Sequence, residues 1–233
     1  MQRETIHHAD EAAWKAAGLH DVTSTESAAL FGLSPYLTEF ELWHLKRERE
    51  ERQVRDNNRI SWGKRLEPVI AKGVAEDHGW KVRAFNAYVR LVGPKMAASF
   101  DFEVVGHQEG PGILEVKAVD FVVFRDTWIE HEDGFLEAAP HIEIQLQHQL
   151  HVTNRRWGVI VALVGGNEVK VLVRERDPKV GQAIQARIER FWQSIQEGTP
   201  PQPDFARDAD KIMQLRAMAR QGKVHQADDE IEA

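Results

Sequence analysis

Ser99-Phe100-Asp101, followed fourteen residues after the aspartate by Glu115-Val116-Lys117, sets two carboxylates and an ammonium in segments of strand-like composition. Side chains alternate along a strand, so Glu115 and Lys117 share one face while Val116 turns into an apolar layer. A neighbouring strand carrying Asp101 would bring its carboxylate beside Glu115, and the Val116 backbone carbonyl offers a third oxygen. Two carboxylates and a carbonyl form a hard site that suits Mg²⁺ or Mn²⁺ and not Zn²⁺. A lysine on the same face can orient an attacking water or offset charge on a phosphate. The chemistry is metal-assisted phosphodiester hydrolysis, in the D…(D/E)xK pattern. An acid followed later by Glu-x-Lys is also an ordinary charge alternation on an exposed strand, so the pattern needs support elsewhere in the chain.

Two segments give it. In Trp62-Gly63-Lys64-Arg65-Leu66-Glu67-Pro68, Glu67 lies at the edge of the apolar stripe of a helix. A half-buried carboxylate there is costly unless a cation or hydrogen bonds satisfy it, although a first-turn Glu also complements a helix dipole. In Gln145-Leu146-Gln147-His148-Gln149-Leu150, Gln145 and Gln149 stand one turn apart, off the Ile142–Leu146–Leu150 stripe. Gln147 reads as a water-facing residue. His141, His148 and His151 form no HExxH arrangement and read as structural or substrate-facing.

The elements that must position these groups follow from periodicity. Ala9–Ala17, Ser24–Phe31, a third segment opened by the Thr38…Glu41 capping box, and roughly Arg65–His78 read as helices. The third runs into the charged stretch Lys46–Arg55 and breaks at Asn57-Asn58. Pro68 fits the fourth only within a first turn. Val82–Val92, Ala97–Val105 and Gly112–Ala118 read as strands and Glu137–Thr153 as a helix. A hairpin over Arg156–Val164 and Glu168–Arg174 turns at Gly165-Gly166-Asn167, and a helix runs from Asp177-Pro178 to about Gln196. The order predicts an α/β fold with one mixed sheet flanked by helices. The expected organisation is a single domain over 1–198, helical over about 9–80 and an α/β core over about 81–197. A polar tail, 199–233, follows. Trp14, Trp43 and Trp62 are expected in the core.

Composition bounds the partners. The chain has 233 residues, 42% hydrophobic and 29% charged, with no cysteine. That excludes a disulfide framework, a cysteine-ligated zinc and an iron–sulfur cluster. No apolar run approaches the ~18 residues that span a bilayer, and the first residues do not read as a signal peptide, so a cytoplasmic protein is expected. The net charge of −7 argues against a DNA-coating protein. It leaves room for a DNA-cutting enzyme whose cations are local, with Lys46, Arg47, Arg49, Arg52, Arg55, Arg59, Lys64 and Arg65 as the expected DNA-facing set.

With these motifs in order, the sequence resembles the phage-type alkaline exonucleases typified by lambda exonuclease, the YqaJ-like viral recombinase branch of the PD-(D/E)XK superfamily. Thr23-Ser24-Thr25-Glu26-Ser27 looks like the family's ITASE segment and Trp62-Gly63-Lys64…Glu67 like its WGK…E helix. Ser99…Asp101 is similar to its SPD strand, Glu115-Val116-Lys117 to its ELK strand, and Gln145-Leu146-Gln147…Val152-Thr153 to its QVQ…VT helix. The resemblance covers about residues 14–195.

It implies a PD-(D/E)XK core and a Mg²⁺-dependent 5′-to-3′ exonuclease on double-stranded DNA ends, leaving 3′ overhangs. It also implies a ring-shaped homotrimer serving a single-strand annealing protein, in a bacterial host and of phage or prophage origin. Asp101, Glu115 and the Val116 carbonyl would hold one metal, and Glu67 a second metal or its waters, with Mn²⁺ as a substitute. Lys117 would position the water, and Gln145 would bond near it or near the scissile phosphate. Thr25 and Ser99 match positions that hold the 5′ phosphate. The family's arginine five residues before the ITASE threonine is Gly18 here, so His20 or the Lys46–Arg55 cluster would have to supply that charge. A PD-(D/E)XK endonuclease of restriction or repair type, and an inactive nucleic-acid-binding module, are the alternatives.

Overall fold

The computed structural model describes residues 2–7, 11–50 and 57–217. In chain order the elements are β1 (Arg3–Ile6), α1 (Glu11–Gly18), β2 (Val22–Thr23), a 3-10 turn (Ser27–Phe31), α2 (Glu39–Glu48) and α3 (Asn58–His78). Then come β3 (Lys81–Ala84), β4 (Tyr88–Leu91), β5 (Met96–Ala98), β6 (Phe102–Val105) and β7 (Gly112–Val119). The chain continues through α4 (Phe121–Thr127), β8 (Ile129–Glu130), β9 (Leu136–Glu137), α5 (Pro140–Thr153), β10 (Trp157–Val164), β11 (Glu168–Glu175) and α6 (Pro178–Glu197).

The central sheet has the order β11-β10-β7-β6-β3, and it is mixed: β7 and β10 are parallel, the other pairs antiparallel. Ile113 and Ile160 on one face pack under Ile142, Leu146 and Leu150 of α5. Leu114, Val116, Val159 and Val161 on the other face pack against Ile70, Ala71 and Val74 of α3. This is the expected α/β layering. The sheets differ from expectation: instead of one there is also a four-stranded sheet of order β1-β4-β5-β2 and a two-stranded β8-β9 sheet. The two runs expected as single strands each break. Val82–Val92 splits at residues 85–87 and Ala97–Val105 at 99–101, so the chain crosses twice between sheets. The second sheet shares a core with Leu42 and Trp43 of α2 and with Ile184, Ile188 and Phe191 of α6.

The helical part departs in three places. The segment at Ser24 shrinks to a 3-10 turn, because the Glu26 carboxylate accepts both the N–H and the hydroxyl of Thr23 and holds the preceding residues in a tight loop. The α2 segment ends at Glu48, not at Asn57, with Arg49 in the left-handed conformation (φ 55°). Arg52 and Arg55 lie outside the described residues. α3 starts at Asn58, so Pro68 is its eleventh residue and not in its first turn. Asn57 starts the helix early by accepting the Ile60 N–H at 3.0 Å. A proline this deep removes the hydrogen bond to Lys64, a loss of about 3 kcal/mol in a helix interior. Here both residues are exposed, so water can take the orphaned carbonyl.

Helix α6 agrees with expectation: Asp177 caps it and Gly198 (φ 69°) ends it. The polar stretch after it is anchored rather than loose as far as residue 217. Asp208 is buried, accepts the Thr38 hydroxyl and the Asp204 N–H, and Arg207 donates to the Ser34 carbonyl at 2.7 Å. Among the described residues no helix is long and apolar enough to cross a membrane.

Candidate active site

The crossing at 99–101 is what builds the site. β6 and β7 pair with Phe102 opposite Leu114, and the same register carried one residue on sets Asp101 opposite Glu115. There β6 has bent away, so the Val116 N–H finds no ladder partner and donates to Asp101 Oδ2 at 2.8 Å. A residue's N–H and C=O point to the same strand edge, so the Val116 carbonyl also faces the Asp101 side. Glu115 and Lys117 share the α5 face, and Lys117 Nζ donates to Glu115 Oε1 at 2.7 Å. From α5, Gln145 donates to the same oxygen and Gln149 donates to Oε2 at 2.8 Å. Gln149 also donates to the Ser99 carbonyl at 3.0 Å, tying the helix to the crossing strand.

Electrostatics follows from this crowding. Burial, then the Glu115 charge, raises the Asp101 carboxyl above its ordinary value, against the pull of Lys117 and the Val116 N–H. Burial lowers the Lys117 ammonium, but Glu115 and Asp101 outweigh it and the net shift is upward. Glu67 is raised by burial, with Lys117 opposing and Glu115 adding, but it lines neither cavity at the acids and does not join Asp101 and Glu115 in a three-carboxylate group. Two neighbouring carboxylates buried at a cavity wall, with Lys117 bonded to one of them, make a cation-seeking pair.

The donor set fits a hard divalent cation. Among the described residues no three His, Asp or Glu side chains form a metal cluster, so the protein offers two carboxylates and one carbonyl. Mg²⁺ tolerates that, because it keeps waters and takes substrate phosphate oxygens as its remaining ligands.

Around the acids lies a cavity of about 360 Å³ that brings together Trp14, Thr25, Ser99, Asp101, Glu115, Lys117 and Gln145. A second cavity, about 250 Å³, opens on the other side of Lys117 and Gln145 and is lined by Thr25, Tyr36, Arg59 and His141 among others. So Thr25 and Ser99 share a wall with the carboxylates. Lys64 and Arg65 are exposed on α3 and line neither cavity; Arg65 lies over the Trp62 ring, 5.1 Å from its centroid. Trp62 is 56% exposed, contrary to the expected core position, whereas Trp43 is fully buried. Trp14 is half-buried, at the cavity wall and edge-on to Tyr88.

Lys46 is not available to DNA: its ammonium donates to the Gly18 carbonyl (2.6 Å) and pairs with Glu26 at 2.8 Å. Gln147 does not simply face water, since it donates to the Glu175 carbonyl and accepts the Asp177 N–H, bracing the start of α6. His148 donates to the Ala97 carbonyl and is held neutral by burial, which drives it down to about 3. His151 bonds Gln185. Both are structural, while His141 reaches the second cavity. The sequence did not single out Gln149 as a site residue, although its i, i+4 spacing from Gln145 was the available signal.

The model of the YqaJ-like viral recombinase domain matches residues 13–156. The chain belongs to that family. Its match takes in the Thr25 turn, α3, both crossing strands and all of α5. The uncharacterized protein YqaJ of Bacillus subtilis (strain 168) is 25% identical over 209 residues, which is 87% of this chain and 62% of that protein. This YqaJ-family chain therefore spans less than two thirds of that relative's length. Among solved structures it is similar to an alkaline exonuclease, LHK-Exo, from Laribacter hongkongensis, with a TM-score of 0.62 and 17% identity over 90% of this chain and 98% of that one. The complex of LHK-Exo with dAMP gives 0.61 and 19%, over 80% and 93% of the two chains. A putative exonuclease from Eubacterium rectale gives 0.52 and 11%, over 90% and 92%. At these identities the likeness is one of fold, the PD-(D/E)XK core that the central sheet and its two helical layers form.

Proposed function

We propose that this YqaJ-family chain is a Mg²⁺-dependent 5′-to-3′ exonuclease that degrades one strand of double-stranded DNA from an end. The resulting 3′ overhangs would serve a single-strand annealing protein in recombination, in the cytoplasm of a bacterial host. The observation that carries this reading is the Asp101 carboxylate accepting the Val116 N–H next to Glu115, which in turn accepts the Lys117 ammonium, with all three side chains lining one cavity. In this reading Asp101, Glu115 and the Val116 carbonyl hold one Mg²⁺, and Glu67 serves a second or its waters. Bound there, the cation offsets charge on the scissile phosphate and makes water a better nucleophile. Lys117 turns a water toward the phosphorus and stabilises the charge that develops on the phosphate. Gln145 and Gln149 fix the Glu115 carboxylate so that its oxygens do not rotate away. A covalently closed plasmid separates this from the endonuclease alternative: the linearised form should be degraded and the closed form left intact. Rapid cutting of the closed circle would favour an endonuclease.

The 5′ phosphate belongs, in this reading, beside Thr25 and Ser99. The family arginine is absent at Gly18; of the expected substitutes, Lys46 is engaged by Glu26, His20, Arg47 and Arg49 line a different cavity, and Arg52 and Arg55 lie outside the described residues. Besides Lys117, which is engaged by Glu115, Arg59 is the cation among the described residues that shares a cavity with Thr25. A hydrogen bond to a charged group contributes roughly 1.5–3 kcal/mol. Arg59→Ala should therefore narrow the rate ratio between 5′-phosphorylated and 5′-hydroxyl duplexes by about tenfold or more. A strong phosphate preference unchanged in Arg59→Ala, Thr25→Ala and Ser99→Ala would move the pocket elsewhere.

A closed ring accounts for an enzyme that follows one duplex without cationic charge over its whole exterior. Light scattering should give a native mass about three times the 26.6 kDa protomer. A monomer at micromolar concentration would remove the ring.

A further inference from the structure

Away from the carboxylates, a cavity of about 480 Å³ opens between the end of α1, the end of α2, the β4–β5 turn and α6. Among the described residues five cations line it, Lys46, Arg47, Arg49, Arg90 and Lys95, against one carboxylate, Asp21. In a chain of net charge −7 this concentration of positive charge is an exception. Two of the five are already answered inside the protein: Lys46 by Glu26, and Arg90 by Asp21 at 2.9 Å, though the Arg90 Nε is buried with no hydrogen-bond partner. The other three, among the described residues, have no carboxylate within ion-pair distance. Arg47 lies over the Trp43 ring (5.0 Å to its centroid) and Lys95 over Trp192 (5.2 Å). Ring contacts hold these cations in place without neutralising them.

The backbone adds a second, independent observation. Among the described residues only three non-glycine positions have left-handed φ, and two of them are Arg49 (φ 55°) and Lys95 (φ 51°). Glycine adopts that conformation at no steric cost, and another residue held there costs of order 1–3 kcal/mol. At both turns the chain carries a long cation where glycine would be more stable, and both cations border the same cavity.

We propose that this cavity is a second anion site that takes the phosphate group of a nucleotide, outside the cleavage centre. The inference rests on the nuclease reading for its choice of phosphate. Under that reading the phosphate is either one in the DNA backbone, held away from the bond being cut, or that of a released 5′-mononucleotide. The cavity floor is joined to the cleavage centre through one turn: Lys46 holds Glu26, Glu26 holds Thr23, and Thr25 lines the acid cavity. A phosphate seated here would brace the segment on which Thr25 stands.

The test is a salt titration of duplex binding by fluorescence anisotropy in EDTA, where nothing is cut. It compares wild type with the triple variant Arg47→Gln, Arg49→Gly, Lys95→Gly. Glycine suits both left-handed positions, so the variant should melt no lower than wild type. If the site holds backbone phosphates, the slope of log affinity against log salt should become shallower by about 2 to 3. Affinity should fall by about 10- to 100-fold near 0.1 M salt. A second arm titrates dAMP alone: binding to wild type that the variant loses, with the duplex slope unchanged, assigns the site to a free nucleotide. If duplex slope and dAMP binding are both identical in the two proteins, the anion site is wrong. Magnesium-dependent digestion of linear DNA by wild type would still stand in that case, so the two readings fail separately. Wild type that neither binds duplex or dAMP nor cleaves overturns both.

Discussion

Lys117→Ala should reduce strand cleavage by about 10²- to 10³-fold or more while leaving duplex affinity within a few-fold. Among the described residues the ammonium is the single cation bonded to Glu115 and the one whose charge opposes both Asp101 and Glu67. It is partly exposed, with 26% of its side chain accessible, so its loss leaves no packed void. What disappears is the group that orients water and meets charge on the phosphate. Truncation also unmasks the repulsion between Asp101 and Glu115, so metal affinity should hold or rise as catalysis falls. Single-turnover kinetics together with a Mn²⁺ titration separates the two effects. Cleavage near the wild-type rate would remove Lys117 from the mechanism.

Asp101→Asn should have the opposite profile: activity and metal binding lost together, and the metal-free protein more stable at alkaline pH. The sign follows from the shift. Asp101 is raised in the folded state by burial and by Glu115, so ionising it costs the fold stability. That cost is absent below the unfolded carboxyl value of about 3.9 and grows as pH rises through the raised folded value, above which it is complete. The amide removes the charge and keeps an oxygen that can accept the Val116 N–H. Metal-free wild type should therefore lose melting temperature as pH climbs, and the variant should lose less. At roughly 2–4 °C per kcal/mol for a chain of this size the difference is readily measured. Calorimetry should show no Mg²⁺ or Mn²⁺ signal for Asp101→Ala or Glu115→Ala. Normal binding by both variants would place the metal elsewhere.

The parts of the fold that were legible from sequence are those whose pattern and packing partner are local. The Ile142–Leu146–Leu150 stripe, the hairpin around Gly165-Gly166 and the Asp177 cap each specify their element within a few residues, and each lies where expected. The second sheet was not legible, because Val82–Val92 reads as one alternating run. Only tertiary packing shows that Phe85, stacked on Phe100 at 3.8 Å, marks a departure from one sheet to the other. Pro68 misled because a proline is judged against its own helix, whereas the start of α3 is set eleven residues earlier by Asn57. In the site, the acids and the lysine were legible as a spacing. The bond from Gln149 to Glu115 was not, since it depends on which face of α5 turns toward β7. Trp62 shows the converse: an aromatic expected inside stands in solvent beside Arg65.

The most direct measurement of the central claim is strand-resolved digestion of a linear duplex carrying 5′ phosphates, with each strand labelled separately at its 3′ end, with and without Mg²⁺. The account predicts no change without metal. With Mg²⁺ it predicts progressive shortening of each labelled strand from its 5′ end, so that labelled products of decreasing length retain the 3′ label, and the same reaction lost in Lys117→Ala. Immediate release of the 3′ label, internal cuts without regard to ends, or digestion that survives both EDTA and Lys117→Ala would contradict it.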